Sequence, residues 1–162
     1  MLEKTGIATH DMVMNAFPSI ERINKGPVAV IECFQNIPCN PCQTACRFSA
    51  INIGDDINNL PKLSQDKCTG CAICLSKCPG LSIMIVDGSK SQETVLIRLP
   101  YEFSPLPAEG SIVKGLDRAG EYITDAKVVG VLNPKAFDKT PVVTIELDRK
   151  YLYQIRNIKV GV

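Results

Sequence analysis

No apolar run in this chain of 162 residues approaches the roughly 18 needed to cross a bilayer as a helix, so no membrane span is expected. An excess of one charge is missing too. The net charge is +1 and no basic block stands out, which argues against nucleic acid as a partner. The opening residues, MLEKTGIATHDMVMNAF, lack a basic start followed by an apolar core. No signal peptide is expected, and the location implied is cytoplasmic. The single histidine, His10, has no second metal-type residue near it in sequence and reads as a surface residue. Glycine-rich phosphate loops, paired carboxylates and a nucleophile beside a base are also absent, leaving no candidate catalytic residue.

Cysteine, by contrast, is abundant and confined. All eight lie between Cys33 and Cys78. The stretch Cys68 to Pro79, CTGCAICLSKCP, spaces four cysteines by two, two and three residues and ends on proline. Three closely spaced thiolates suit three irons of one cubane, while the fourth serves a different cluster. Zinc ribbons use two Cys-x2-Cys pairs with a longer spacer, and tetrahedral zinc does not need this crowding. Disulfides need an oxidising compartment. Iron–sulfur ligation is therefore the leading expectation.

A second run, CFQNIPCNPCQTACR, carries Cys33, Cys39, Cys42 and Cys46. Cys39, Cys42 and Cys46 each precede Cys71, Cys74 and Cys78 by 32 residues. The parallel continues beyond the cysteines, with CRFSAINI matching CPGLSIMI and placing Ile51 opposite Ile83 and Ile53 opposite Ile85. The region is an internal repeat, and these isoleucines are expected to cover the clusters.

Over roughly residues 28–88 the chain resembles the bacterial two-cluster ferredoxin family. That resemblance implies two halves related by a pseudo-twofold axis, with the fourth cysteine of each run crossing over. It implies that Cys68, Cys71, Cys74 and Cys46 bind one 4Fe-4S cluster, and that Cys39, Cys42 and Cys78 belong to the other. The family pattern expects one more ligand at position 36, which is asparagine here. Cys33 is the favoured replacement; the alternatives are a 3Fe-4S cluster lacking that ligand, or a thiol with no cluster role. The amides of Thr69, Gly70, Ala72 and Ile73 are the expected donors to the second cluster. Arg47 stands where the family has proline, and reads either as a solvated charge or as a cation favouring a reduced cluster.

Residues 1–27 read as an N-terminal arm, extended or as a short helix. GPVAVIEC reads as a strand, and residues 54–67 as a polar loop or hairpin. The polar stretch 87–92 marks a boundary, after which residues 89–162 contain no cysteine. Apolar or alternating runs at 93–99, 111–116, 121–132, 141–147 and 150–158 predict about five strands. The expected fold class is α+β: a ferredoxin-type two-cluster domain at 28–88, then a small antiparallel β-barrel or sandwich serving as a docking domain. Tyr101 and Phe103, on a loop with three prolines between 100 and 110, are expected either to cap that barrel or to meet a partner.

The function expected is electron transfer. Residues 28–88 hold five acids against four bases, unlike strongly acidic carrier ferredoxins, which favours a fixed subunit of a larger oxidoreductase. ECFQNIPCNPC, with β structure behind it, resembles small iron–sulfur subunits of flavin-dependent amino-acid or amine dehydrogenases of anaerobic bacteria, of the proline or hydroxyproline type. The partners so implied are flavoprotein dehydrogenase subunits, with FAD on them and not on this chain. Alternatives are a soluble carrier ferredoxin with a partner-selecting β domain, and a cluster-based sensor of oxygen or iron.

Overall fold

The structure, a computed structural model, describes residues 2–161. Its arm is helical: α1 (Leu2–Thr5), α2 (His10–Ala16) and α3 (Ile20–Lys25). Thr9 caps α2 by accepting from the Met12 amide, and Ser19 caps α3 by accepting from that of Arg22. Helices this short are held by tertiary contact rather than by propensity. Val13, Phe17 and Ile23 supply it by entering the main core, where Phe17 meets Tyr153 edge to face at 4.8 Å.

Strand β1 (Val28–Ile31) leads to the first cysteine run, whose helix α4 (Pro41–Ala45) precedes β2 (Ile51–Asn52). The second half repeats the plan with β3 (Lys62–Leu63), α5 (Ile73–Lys77) and β4 (Ile83–Asp87). Each half pairs its strands with the other. Val30 faces Met84 and Ile31 faces Ile83, while Lys62 faces Asn52 and Leu63 faces Ile51. Adding 32 to one set of partners and subtracting it from the other interconverts the two ladders, so the two halves pair in equivalent register. Loop conformation obeys the same shift: Ser49 and Leu81, 32 apart, have φ of 49° and 51°.

After Asp87 the chain turns and continues in β5 (Thr94–Pro100), β6 (Ile112–Leu116), β7 (Tyr122–Leu132), β8 (Val142–Asp148) and β9 (Asn157–Lys159). These do not form the expected barrel or sandwich. They extend the β1–β4 pair into one seven-stranded sheet, ordered β1-β4-β5-β8-β7-β6-β9, and among the described residues no pairing of β1 with β9 closes it. Every pairing is antiparallel. The turn at 88–93 joins two paired strands, with Val86 opposite Ile97. Run 150–158 is the other departure, since only its end is strand; Arg149–Tyr151 is a 3-10 turn that buries Leu152 and Ile155.

Side-chain alternation gives the sheet two working faces. Val28, Val30, Met84, Val86, Val95, Ile97 and Ile145 point into the main core with the arm. Ala29, Ile83 and Ile85 point the other way, toward α4, α5 and the cysteines. The β1–β4 ladder is therefore the wall between the hydrophobic core and the cysteine region.

Candidate functional site

The eight cysteines line two separate chambers on the second face of that wall. One is bordered by Cys33, Cys39, Cys42 and Cys78, the other by Cys46, Cys68, Cys71 and Cys74. Each set combines three thiols from one run with one from the other run, and all eight are free thiols. Ile53 and Ile83 line the first chamber; Ile51 and Ile85 line the second. Among the described residues no group of three or more His, Cys, Asp or Glu side chains converges on a single-ion position. In each chamber the thiols surround a space.

Local backbone geometry aims these sulfurs. α4 and α5 each end on a cysteine whose amide bonds back into the helix, Cys46 to Gln43 and Cys78 to Leu75. The turn that follows then offers an amide to the sulfur: Ala50 to Cys46 at 3.3 Å and Ser82 to Cys78 at 3.4 Å. Ala29, on β1, donates to Cys68 at 3.4 Å. Such N–H groups stabilise a thiolate and the negative charge of a cluster bound through it. Gly70 makes the second run possible. Its φ is +65°, and a Cβ there would stand 2.5 Å from the Pro27 side chain.

In the metal-free chain burial works against thiolate formation at three of these cysteines. Burial first, and then Cys68, Cys71 and Cys46, push Cys74 up to about 12 against an amide hydrogen bond from Leu75 that lowers it. Burial likewise raises Cys42, helped by Cys78, Cys39 and Cys33, against an amide hydrogen bond from Gln43 that lowers it. Cys33 is raised by burial and then by Cys78 and Cys39. The thiols that act on one another are those of the same chamber. A soft cation is the ligand that reverses this, since coordination removes the proton.

Cys33 borders the first chamber, and Asn36, where the repeat would place a cysteine, is not among its lining residues. The Asn36 side chain turns away and donates to the Asn58 carbonyl at 2.9 Å, while the Cys39 amide donates to Ile57 at 3.1 Å. The loop between the halves thus closes over the first chamber, where Gln35, Ile37, Asn59 and Pro61 complete the lining. Thr69, Gly70 and Ile73 line the second chamber. The amide-to-thiol bonds come from Ala29, Ala50 and Ser82. Of these, the last two were visible as positions 32 apart; Ala29 had no local signal. Arg47 and His10 are exposed. Tyr101 is buried, whereas Phe103, edge to face with it at 5.6 Å, is 64% exposed.

Beside the first chamber lies a buried ionic group that sequence reading missed. Glu32 pairs with Arg118 and, at 3.4 Å, with Arg156. Arg156 also donates to the Leu81 carbonyl, in the turn after Cys78. Burial lowers the Arg156 pKa, an effect that Glu32 opposes. An open cleft of about 520 Å³ borders these residues, but Glu32 and both arginines are already paired with one another.

Comparison with known proteins gives a short similarity. Over 55 residues, 34% of this chain, the sequence is 42% identical to one of the subunits of the Na(+)-translocating ferredoxin:NAD(+) oxidoreductase complex of Acetobacterium woodii. The matched part spans 15% of that relative's length. No protein-family model and no solved structure matches the chain. No helix among the described residues is long and apolar enough to cross a membrane.

Proposed function

We propose that this chain is the electron-transfer iron–sulfur subunit of a larger oxidoreductase, holding two 4Fe-4S clusters. Cys33, Cys39, Cys42 and Cys78 hold one; Cys46, Cys68, Cys71 and Cys74 hold the other. The observation that carries this reading is the crossed arrangement, in which each chamber takes three thiols from one run and the fourth from its repeat. Four thiols per chamber, amide donors at the sulfurs and an apolar lining of isoleucines fit a cubane's ligand count, negative charge and need for shelter from water. Bound there, such a cluster exchanges single electrons. The chain's own part is to fix the ligands, donate N–H groups to sulfur and exclude solvent with Ile51, Ile53, Ile83 and Ile85.

Similarity to a component of an oxidoreductase complex supports work within a larger assembly. The partners we propose are FAD-bearing dehydrogenase subunits that oxidise an amino acid or amine, and the setting is cytoplasmic; the resemblance of ECFQNIPCNPC supports this finer reading. Ligand variants test the core of it. Cys33→Ser should remove or convert the first cluster alone, and Cys71→Ser should damage the second alone, as read by iron content and EPR of the reduced protein. An unchanged spectrum in Cys33→Ser would reject the first ligand set.

A further inference from the structure

The arm and the strands after Asp87 do more than surround the cysteine region: they deliver arginines to it, unequally. Arg22, on α3, donates to the Cys68 carbonyl at 2.6 Å, and also to the carbonyls of Gln65, Gly26 and Pro27. Arg98 stands opposite Ile85 in the ladder, so it faces the second chamber, and it donates to the Gly70 carbonyl at 2.7 Å. Both are half-buried. Among the described residues, the ion pairs are those of Glu32 with Arg118 and Arg156, and of Lys150 with Asp148; neither Arg22 nor Arg98 takes part. Their two charges are neutralised by no carboxylate in contact. Asp66 and Lys67, just before Cys68, are exposed and of opposite sign. Exposed Arg47, next to Cys46, adds to the same side.

The first chamber also has two arginines, Arg118 and Arg156, but Glu32 lies between them. The group carries one positive charge; at the second chamber Arg22 and Arg98 carry two, opposed by buried Asp87, which shares the face of β4 with Ile85 and accepts from the Ser89 amide and hydroxyl. Exposed Lys77, next to Cys78, adds one charge at the first chamber, and exposed Asp55 and Asp56, in the loop that closes over it, remove two. Adding an electron to a cluster adds negative charge, so nearby positive charge favours the reduced state. Screening weakens exposed charges more than half-buried ones. The larger uncompensated charge therefore lies at the second chamber.

We infer that Arg22 and Arg98 hold the second chamber's cluster at the higher reduction potential, so that electrons enter at the first chamber and collect at the second. This rests on the two-cluster reading above. The internal step is one electron: the first cluster is oxidised by one and the second reduced by one, with no bond made or broken and no proton moved. Arg22 and Arg98 are positioning residues here, acting through the field and through the carbonyls of the ligand run.

The test is an anaerobic potentiometric titration of the full chain followed by EPR, with Cys33→Ser identifying the signal of the first chamber. The higher midpoint should belong to the second chamber. Arg98→Met should lower that midpoint so that the electron's share between the clusters shifts about tenfold, about 59 mV for a one-electron couple, while the other midpoint stays. Arg98→Lys, which keeps the charge, should restore most of the shift; a merely structural role would not distinguish Lys from Met. Arg22→Met should act in the same direction, and serves if Arg98→Met fails to load. Equal or reversed midpoints, or a second-chamber midpoint unmoved by the arginine-to-methionine variants, would overturn the inference. Absence of iron in the wild-type chain would sink the two-cluster reading itself, which is a separate failure.

Discussion

Replacing Glu32 by alanine should reveal how strongly the two edges of the sheet are tied together beside the first chamber. Its side chain is 6% exposed, and those of its partners Arg118 and Arg156 are 12% and 17% exposed. Removing the carboxylate leaves two guanidinium groups facing each other, and breaking a buried pair in this way costs about 3–5 kcal/mol. Arg118 keeps its bond to the Tyr153 carbonyl at 2.7 Å and Arg156 keeps Leu81, which places the loss at the lower end, about 3 kcal/mol. For a chain of this length each kcal/mol lowers the unfolding temperature by about 2–4 °C, so a fall of about 6–12 °C is expected. Lys150→Ala is the matched control, because its 3.8 Å pair with Asp148 leaves both side chains about two-thirds exposed. That change should stay within about 0.5 kcal/mol. Thermal unfolding followed by circular dichroism, on oxygen-free protein of equal iron content, compares the two. Equal shifts in Glu32→Ala and Lys150→Ala would refute the argument.

Within the cysteine region, Gly70→Ala should lose the second cluster, since the new Cβ meets rigid Pro27 at 2.5 Å, whereas Gly80→Ala meets only the movable Ser82 hydroxyl at 3.2 Å and should keep both; iron quantitation separates them. In metal-free protein, Cys71, which is exposed, should alkylate before buried Cys74, whose pKa near 12 keeps it a thiol; mass-spectrometric mapping gives the order. The unfolded chain releases the Cys74 proton first, at the ordinary 9.0, so the metal-free fold should lose stability as pH rises from about 9 toward 12 and be insensitive to this group below; denaturant unfolding across that range reads it. Chelating the iron should speed hydrogen exchange at residues 33–82 through transient local opening, with the folded arrangement still the major state, because α4 and α5 have five residues each and little intrinsic helix stability. The amides of β5, β7 and β8 should remain protected.

The parts of this structure legible in the sequence are those with local causes. Cysteine spacing and the 32-residue offset reach directly into the ladders, the turns at Ser49 and Leu81 and the isoleucine linings. The two positions that break the repeat were legible as departures, and Cys33 enters the first chamber while Asn36 bonds elsewhere. The open sheet was not legible. Val95, Ile97 and Leu99 alternate equally well in a barrel wall, and only the long-range pairing of β4 with β5 decides the neighbour. KYLYQIRNI predicts a strand through its aromatic and β-branched residues, yet only its end enters β9, and Leu152 and Ile155, three apart and both buried, carry a helical spacing. Arginine bonds to carbonyls 28 to 75 residues away, such as Arg98 to Gly70 and Arg156 to Leu81, have no sequence signature at all.

Native mass spectrometry of the protein purified without oxygen from its own host tests the central claim most directly, because one spectrum reports both bound clusters and bound subunits. The expected mass carries two 4Fe-4S clusters within an assembly that contains flavin subunits. Two clusters on a lone chain would contradict the fixed-subunit reading in favour of a carrier. Zinc in place of iron, or no metal at all, would contradict the whole account.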